Sequence, residues 1–394
     1  MRREKLFRLT ELVKHKFGPN KVPFGFVCAI FLLLLSPSKL IPIEAPAPAN
    51  SFGAILSDPR LDAQHRLALA QELGITYYRP EDTVIETWKG RNYDAEVLSK
   101  KGFKLIMTLS NSGSSLPAVR PSRPPADLDK YRQTLDDIID TYRIELMVVE
   151  NEENNIISYT GNQEQYGAQL KAACEVAHKA GVKCTNGGLG PQLVAILVWD
   201  NYLDQGKKDL AESFISRAAP ELLPSTKTPT GKFRFSQTAK KGRELLEEEK
   251  KAQIDFVNFH WTSDDPRAFQ EAAEYLKAST GLQPVSNEIS LRNSDPEAVK
   301  GIMGKIVELQ IPYAVWLSLD RGLAKALQNP DGTLRANGLA FKQFIQTQPS
   351  PKLRQNQGFH WHFLDFSWLL LNKASSNSEL ARGSAIRAII ARKI

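Results

Sequence analysis

Short apolar segments alternate along this chain with segments of helical periodicity, and this alternation limits the possible folds more than any other feature. The apolar segments have few polar residues on either face, as expected for parallel strands that are covered by helices. Eight of them are predicted strands: 52–57, 75–79, 103–109, 145–151, 182–187, 254–260, 283–288 and 313–317. Eight strand–helix alternations of this kind predict a single α/β domain, a (β/α)8 TIM barrel that spans residues 51–346.

The segments between the strands carry the residues that start and stop helices. Asp265-Pro266 and Asp295-Pro296 each combine an N-cap side chain with a proline in the first helical turn. Glycines stand where four of the helices should stop before the next strand, at Gly74, Gly102, Gly181 and Gly281. These signals predict helices at the positions that a barrel requires.

One connection is much longer than the others. Residues 189–253 separate the fifth and sixth predicted strands and contain two further helical patterns. Because this connection leaves the C-terminal end of a strand, its first part is expected to overhang the face where barrel enzymes hold their active sites.

The two ends of the chain differ from its body in charge. The chain carries a net charge of +7, but residues 1–21 and 352–394 each have a net charge of +5, which leaves the body mildly acidic at −3. A mildly acidic body is a poor binder of phosphate groups, so nucleic acid is not an expected partner. The last segment, residues 347–394, is predicted to be a C-terminal tail outside the barrel.

Residues 1–49 have the features of an export signal. Basic residues precede the apolar run 24–35, and Ala47-Pro48-Ala49 resembles a cleavage site. The run is short for a membrane span, which needs about 20 apolar residues. We therefore predict a signal peptide, with an uncleaved N-terminal membrane anchor as the alternative, and a secreted or periplasmic location for the body.

Three cysteines fit no metal-binding spacing. Cys28 lies in the apolar N-terminal run, which leaves Cys174 and Cys184 for the body. Unpaired cysteines are often buried as small apolar residues, and this interpretation is favoured over a disulfide.

Two Asn-Glu steps stand at the ends of predicted strands. Asn151-Glu152 ends the fourth strand and Asn287-Glu288 ends the seventh. Residues at the C-terminal ends of barrel strands converge on one face, however distant they are in sequence. Two carboxyl groups over one cleft are what the cleavage of a glycosidic bond requires.

Together with these steps, three other strand-end motifs resemble those of the clan A retaining glycoside hydrolases, in the style of the cellulase family 5 and family 39 domains. The resemblance covers residues 51–346. The further motifs are Leu73-Gly-Ile-Thr-Tyr-Tyr-Arg79, Phe256-Val-Asn-Phe-His260 and Val315-Trp316. The chain departs from the clan at Glu153, where proline is common, and at Thr262, where a tyrosine often contacts the nucleophile.

The resemblance implies roles for six residues. Glu152 would be the general acid/base and Glu288 the nucleophile, with no cofactor or metal. Four others would bind substrate or orient the carboxylates: Asn151, Arg79, His260 and Trp316. Four of the six residues also have a purely structural explanation. Glu152 would belong to an acidic loop, Glu288 would cap a helix or form an ion pair, and His260 and Trp316 would be core residues.

The sequence thus predicts an exported retaining hydrolase that acts on a β-linked glycan or glycoside. Two alternatives remain open. One is a carbohydrate-binding barrel without turnover, which the departures at Glu153 and Thr262 favour. The other is a metal-dependent barrel enzyme that uses His260 with the two glutamates, although only one histidine stands at a strand end.

Overall fold

The computed structural model describes residues 50–113, 121–293, 295–319 and 325–348. The predicted signal or anchor segment and nearly all of the predicted tail lie outside the described residues. Across the described ranges, strands and helices alternate as the sequence predicts, and eight of the strands form one parallel sheet that curves into a barrel. The predicted (β/α)8 fold is confirmed.

The strands and helices, numbered here in chain order, have the following bounds. The strands are β1 Phe52–Leu56, β2 Tyr77–Tyr78, β3 Thr83–Val84, β4 Lys104–Ser110, β5 Ile144–Val149, β6 Lys183–Asn186, β7 Val257–Trp261, β8 Pro284–Ile289 and β9 Ala314–Ser318. The α-helices are α1 Ala63–Leu73, α2 Tyr93–Lys100, α3 Leu128–Thr141, α4 Gln163–Lys179, α5 Pro191–Asp204, α6 Lys208–Ala218, α7 Leu223–Thr226, α8 Pro229–Lys251, α9 Pro266–Thr280, α10 Pro296–Glu308 and α11 Ala336–Thr347. The short strand β3 pairs with β4 only and is not one of the eight barrel strands.

The barrel closes between β6 and β7. The other neighbours pair continuously in the order β6-β5-β4-β2-β1-β9-β8-β7. Two isolated bridges, Thr185 with Phe256 and Leu189 with Phe259, join the remaining edges in parallel. The fourth and seventh barrel strands are therefore β5 and β8, and their C-terminal ends lie on the same face.

Two apolar layers follow from the alternation of side chains along each strand. Inside the barrel, a small cluster contains Tyr77, Ile106, Leu146, Val148, Val285, Tyr313 and Val315. A much larger cluster lies between the strands and the helices and includes Phe52, Met107, Phe259, Trp261 and Phe341. Adjacent residues of a strand point to opposite faces, so Val315 belongs to the inner layer and Trp316 to the outer one.

The predicted helix boundaries are confirmed by their capping contacts. The carboxylate of Asp265 accepts a hydrogen bond from the backbone N–H of Ala268, and that of Asp295 from the N–H of Glu297. Gly74 and Gly281 end α1 and α9 with φ of 72° and 74°. Glycine adopts this left-handed conformation without the steric cost that a Cβ adds, which is why it ends these helices.

Cys174 and Cys184 form a disulfide with a Cα–Cα distance of 5.3 Å, so the favoured interpretation of two unpaired cysteines is wrong. The first lies in α4 and the second in β6, the strand that follows it. The helix packs on its own strand, and this brings two residues only 10 positions apart within bonding distance. Burial alone, on which the sequence interpretation rested, does not distinguish the two states.

The long connection between β6 and β7 folds into four helices, α5 to α8. Helix α8 packs against α4 and α5, and α5 packs against β7. The connection is thus part of the helical layer, and it carries the acidic residue Glu249 into the interior. Within the described ranges, no helix is both long enough and apolar enough to span a bilayer.

Candidate active site

Three glutamates follow β5, and their burial separates them. Glu150 is fully buried, Glu153 is 6% exposed, and the side chain of Glu152 is 23% exposed. Glu152 is therefore the one of the three whose carboxylate reaches both the interior and the solvent. A residue that exchanges protons with a bound substrate needs that position.

The backbone at this turn is unusual. Glu150 and Glu152 have φ of 69° and 46°, a left-handed conformation that residues with a Cβ rarely adopt. The carbonyl of Glu152 accepts a hydrogen bond of 2.7 Å from the N–H of Asn155, and the N–H of Glu150 donates to the carbonyl of Leu109 at 3.1 Å. Strained backbone of this kind clusters at functional sites, and no local sequence pattern predicts it here.

Glu288 stands at an irregularity of β8. In the pairing with β7, Asn258 lies opposite Val285 and His260 opposite Glu288, so β8 contains one extra residue between the two pairs. A β-bulge of this kind redirects side chains and is common next to active sites. Here it lets both Asn287 and Glu288 make contacts at the same end of the barrel.

Arg79 follows β2 and binds Glu288. Its Nη1 donates to Oε2 of Glu288 and to the carbonyl of Asn287, both at 3.1 Å. Its Nε donates to Thr108 at 2.9 Å, and Nη2 forms an ion pair with Asp82 at 3.0 Å. The guanidinium is 2% exposed, so its position is fixed and its charge faces Glu288 with little solvent between them.

Asn151 lies beside the same arginine. Its Oδ1 accepts a hydrogen bond of 3.4 Å from Nη2 of Arg79. This contact turns the amide oxygen toward the guanidinium and leaves Nδ2 as the donor for another group.

His260 lies between the two glutamates and is nearly fully buried. Its Nδ1 is 3.2 Å from Oε1 of Glu152, and its Nε2 is 3.0 Å from Oδ1 of Asn287. It also pairs in register with Glu288 across β7 and β8. The structure thus brings together five of the six residues that the sequence singled out: Arg79, Asn151, Glu152, His260 and Glu288.

The electrostatics of Glu152 and His260 follow from this contact. Burial tends to raise the pKa of Glu152, but hydrogen bonds from His260 and Asn155 and nearby positive charge outweigh it and lower that pKa. Burial tends to lower the pKa of His260, but the charge of Glu288 and the contact with Glu152 outweigh it and raise that pKa. Glu152 and His260 therefore favour the arrangement in which a charged imidazole faces a carboxylate.

Trp316 is not in the cleft, and its expected role as a sugar platform is corrected here. It is 2% exposed and packs edge-on against Phe341 of α11, with ring centroids 5.5 Å apart. The alternation along β9 places Val315 inside the barrel and turns Trp316 outward to the helices. It is a core tryptophan.

Three asparagines connect the site to the barrel interior. No role was assigned to any of them from the sequence. Asn258 of β7 bonds to Asn186 of β6 and to Asn287 of β8. Asn186 in turn donates to Oε1 of Glu153 at 3.1 Å. The alternation in Val-Asn-Phe-His already places Asn258 and His260 on the same face of the strand, and this signal could have identified Asn258.

Three further carboxyl groups are buried behind Glu152. Glu153 contacts Glu249 of α8, and burial raises the pKa of both; the charge of Glu153 raises the pKa of Glu249 further. Burial also raises the pKa of Glu150 to about 7, although its Oε1 accepts hydrogen bonds from Asn111 and Gln169. All three carboxyl groups are buried, so they contact the site from the interior side.

In the part of the chain that the structure describes, no three or more His, Cys, Asp or Glu side chains are grouped as metal ligands would be. The histidine and the glutamates of this site are instead bonded to one another and to Arg79 and Asn287. Carboxyl groups and an imidazole in such contact are side chains that can exchange protons, and a carboxylate can also act as a nucleophile.

No protein-family model and no curated protein matches the chain. Among solved structures, it is similar to a GH128 curdlan-specific exo-β-1,3-glucanase from Blastomyces gilchristii, with 10% identity, 74% of this chain and 97% of that chain covered, and a TM-score of 0.42. It is also similar to a GH128 endo-β-1,3-glucanase from Amycolatopsis mediterranei, with 11% identity, coverage of 75% and 99%, and a TM-score of 0.43.

A third similar structure is a glycoside hydrolase family 30 subfamily 8 xylanase from Clostridium acetobutylicum, with 13% identity, coverage of 77% and 73%, and a TM-score of 0.46. With TM-scores below 0.5, these likenesses carry no conclusion about activity. The predicted likeness to families 5 and 39 is not confirmed by them.

Proposed function

We propose that this chain is a retaining glycoside hydrolase that cleaves a β-linked glycan or glycoside. The observation that carries the proposal is the placement of Glu152 and Glu288. They come from the fourth and seventh barrel strands, both stand beside His260 at the C-terminal face, and both are partly exposed. Two such carboxyl groups are the chemical requirement for double displacement at an anomeric carbon.

The contacts of each carboxyl group suggest its role. Arg79 donates a hydrogen bond to Oε2 of Glu288 at 3.1 Å, and this ion pair orients the carboxylate as a nucleophile requires. Glu152 is bonded to an imidazole that can exchange a proton with it, which suits a general acid/base. Asn151, held by Arg79 through its oxygen, has an amide N–H that can bond a sugar hydroxyl.

The reaction then has two steps. First, Glu288 bonds to the anomeric carbon while the glycosidic bond breaks, and Glu152 protonates the leaving oxygen. Next, Glu152 removes a proton from water, the hydroxyl attacks the anomeric carbon, and the ester to Glu288 breaks. The sugar keeps its β configuration because two displacements each invert it.

Azide distinguishes the two glutamates. In Glu152→Ala, a nitrophenyl β-glycoside should still glycosylate the enzyme, since nitrophenolate leaves without a proton. Azide needs no base, so it should restore turnover and give a β-glycosyl azide. In Glu288→Ala, azide should attack from the opposite face and give the α product. The same anomer from both variants, or wild-type rates in both, would refute the assignment.

A binding barrel without turnover is the alternative. It is favoured by Thr262, which stands where a tyrosine often contacts the nucleophile of clan A enzymes. In this chain Glu288 instead forms an ion pair with Arg79. Calorimetry with a panel of β-glucans and xylan would support this alternative if binding occurred and reducing ends never appeared.

We further propose that the protein is exported, through the N-terminal segment as a signal peptide or anchor. The Cys174–Cys184 disulfide supports this location, because disulfides persist mainly in oxidising compartments. Sequencing of the mature N-terminus tests it: a start near Asn50 indicates cleavage, and an intact Met1 in the membrane fraction indicates an anchor. Recovery with free thiols in the cytosol would refute export.

A further inference from the structure

A chain of side-chain amides determines which nitrogen of His260 carries a hydrogen. The backbone N–H of Asn287 donates to Oδ1 of Asn258 at 3.0 Å, so Nδ2 of Asn258 is the atom that meets the Asn287 side chain, at 2.7 Å. An amide nitrogen can only donate, so the atom that receives it is Oδ1 of Asn287. The same Oδ1 lies 3.0 Å from Nε2 of His260. Nε2 must therefore carry a hydrogen and donate it.

Gly188 closes this side of the imidazole. A Cβ at Gly188 would lie 2.3 Å from Nε2 of His260 and 3.1 Å from Oδ1 of Asn287. The glycine backbone therefore packs directly against the ring, and Nε2 has no space for another acceptor. Its bond to Asn287 is the one that the site allows.

The other nitrogen shares a single proton with Glu152. Nδ1 of His260 is 3.2 Å from Oε1 of Glu152. Because Nε2 is already protonated, a neutral His260 has a bare Nδ1 and needs a protonated Glu152 as donor. A charged His260 instead donates to a carboxylate. Both arrangements contain the same one transferable proton.

The charges around His260 decide where that proton rests. The groups that face it are Glu152 after β5, Glu288 on β8 and Arg79 after β2, with Glu153 also acting on it by charge. Glu288 pairs in register with His260 across β7 and β8, and its negative charge raises the pKa of His260 and so favours the charged imidazole. With Glu288 ionised, the proton rests on His260.

We propose that His260 stores the proton that Glu152 delivers to the leaving group, and that loss of the charge on Glu288 releases it. The proposal rests on the proposed function, because ester formation at Glu288 is the step that removes this charge. His260 acts through Glu152 and is a positioning residue.

The proton balances over both steps. Glu288 forms its bond to the anomeric carbon while the glycosidic bond breaks. In this step Glu152 takes the Nδ1 proton of His260 and passes it to the leaving oxygen. His260 is then neutral, Glu152 is ionised and the ester is uncharged. When water attacks, its proton returns through Glu152 to His260, and cleavage of the ester restores the charge on Glu288.

Nitrogen NMR tests the location of the proton without any turnover. In the full chain with 15N-labelled histidine, loss of one signal set in His260→Asn identifies His260. At pH 6.5 the wild type should show both ring nitrogens protonated. Glu288→Gln, which lacks the charge as the ester does, should show a bare Nδ1 and a protonated Nε2. Glu212→Gln, an exposed control on α6, should match the wild type.

Two results would overturn the proposal. One is a bare Nε2 of His260 in the wild type, Glu288→Gln or Glu212→Gln. The other is the same ionisation of His260 in the wild type and Glu288→Gln. The NMR result and the proposed function can fail separately. If no glycoside is cleaved, the function fails, and the proton location is still measured. If glycosides are cleaved but His260 is neutral in the wild type, only the storage of the proton fails.

A matched pair of variants tests the role of the stored proton. The amide of His260→Asn can take the place of Nδ1 and bond to Glu152, but it has no proton to release. We expect kcat for an alkyl β-glycoside, whose leaving group needs a proton, to fall about 10- to 100-fold. Glycosylation by a nitrophenyl glycoside should change far less. Equal losses on both substrates would indicate a merely structural role and overturn the proposal. His260→Gln, which keeps a donor toward Asn287, should show the same contrast.

Discussion

At the residue scale, the site depends on positions where the usual preferences of side chains are overruled. Glu150 and Glu152 are two residues apart, both with positive φ, yet one carboxyl group is fully buried and the other reaches the cleft. The hydrogen-bond partners of each carboxyl group determine whether it is buried or reaches the cleft. Asn111 and Gln169 hold Glu150, and His260 and Asn155 hold Glu152. The catalytic assignment of Glu152 therefore follows from its neighbours and not from acidity alone.

Gly188→Ala tests the contact that fixes His260. The added Cβ would meet Nε2 of His260, and φ of 98° is unfavourable for alanine. We expect a loss of about 2 kcal/mol or more in the free energy of unfolding, and displacement of the imidazole from Glu152. Urea denaturation and the rate on a nitrophenyl glycoside measure both effects.

Gly102→Ala is the control, because its φ of 93° is similar and nothing lies near its Cβ. It should show only the cost of backbone strain and keep wild-type kcat. Equal losses of stability and activity in both variants would contradict the proposed contact.

Glu150→Gln tests the buried carboxyl group behind the site. The pKa of Glu150 is raised from 4.5 to about 7, so its share of stability is fully present below pH 4.5 and is lost as the pH rises through 7. This loss amounts to about 3 kcal/mol. The amide cannot ionise and its oxygen can accept the same hydrogen bonds, so the variant should lose less stability than the wild type between pH 4.5 and 8.

Urea denaturation across this pH range measures the effect, with Glu212→Gln on the surface of α6 as the control. An identical pH dependence in wild type and Glu150→Gln would show that Glu150 ionises normally.

At the element scale, one bulge and one helix shape the site. The extra residue in β8 brings Asn287 and Glu288 to the same end of the barrel, so Asn287 can hold His260 while Glu288 binds Arg79. Helix α8, which belongs to the long connection, packs behind Glu153. There Glu249 contacts Glu153 and the side-chain amide of Asn186. The connection therefore has a structural role under the turn formed by residues 150–153.

Glu249→Gln tests the contact of α8 with that loop. Burial, together with the charge of Glu153, raises the pKa of Glu249 well above its usual value, so the contact stabilises the fold at low pH and loses that contribution as the pH rises. An amide can donate to Glu153 at any pH. We expect a higher Tm than wild type at pH 8 and little difference at pH 4.

Glu244→Gln, exposed on the same helix, should leave Tm unchanged at both pH values. A lower Tm for Glu249→Gln at pH 8 would contradict the account of a destabilising acid pair.

At the scale of the whole molecule, the barrel and two carboxyl positions could be predicted because they follow from local patterns. Apolar strands and helix caps can be recognised in short segments of sequence. The barrel topology then brings the C-terminal ends of the strands together on one face. The orientation of Trp316 depends on the register of β9, which the motif Val315-Trp316 does not reveal. The disulfide depends on how α4 packs on β6, and the contact of Glu249 with Glu153 joins two residues that are far apart in sequence.

The central claim is that Glu288 forms a covalent bond to the sugar, and trapping that bond tests it most directly. A 2-deoxy-2-fluoro β-glycoside with a dinitrophenolate leaving group forms the ester quickly and hydrolyses it slowly. Mass spectrometry of the intact chain, followed by peptide sequencing, should find one fluoro-sugar on Glu288 and none in Glu288→Gln. A label on another residue, or inverted product from a substrate that the wild type cleaves, would contradict the account.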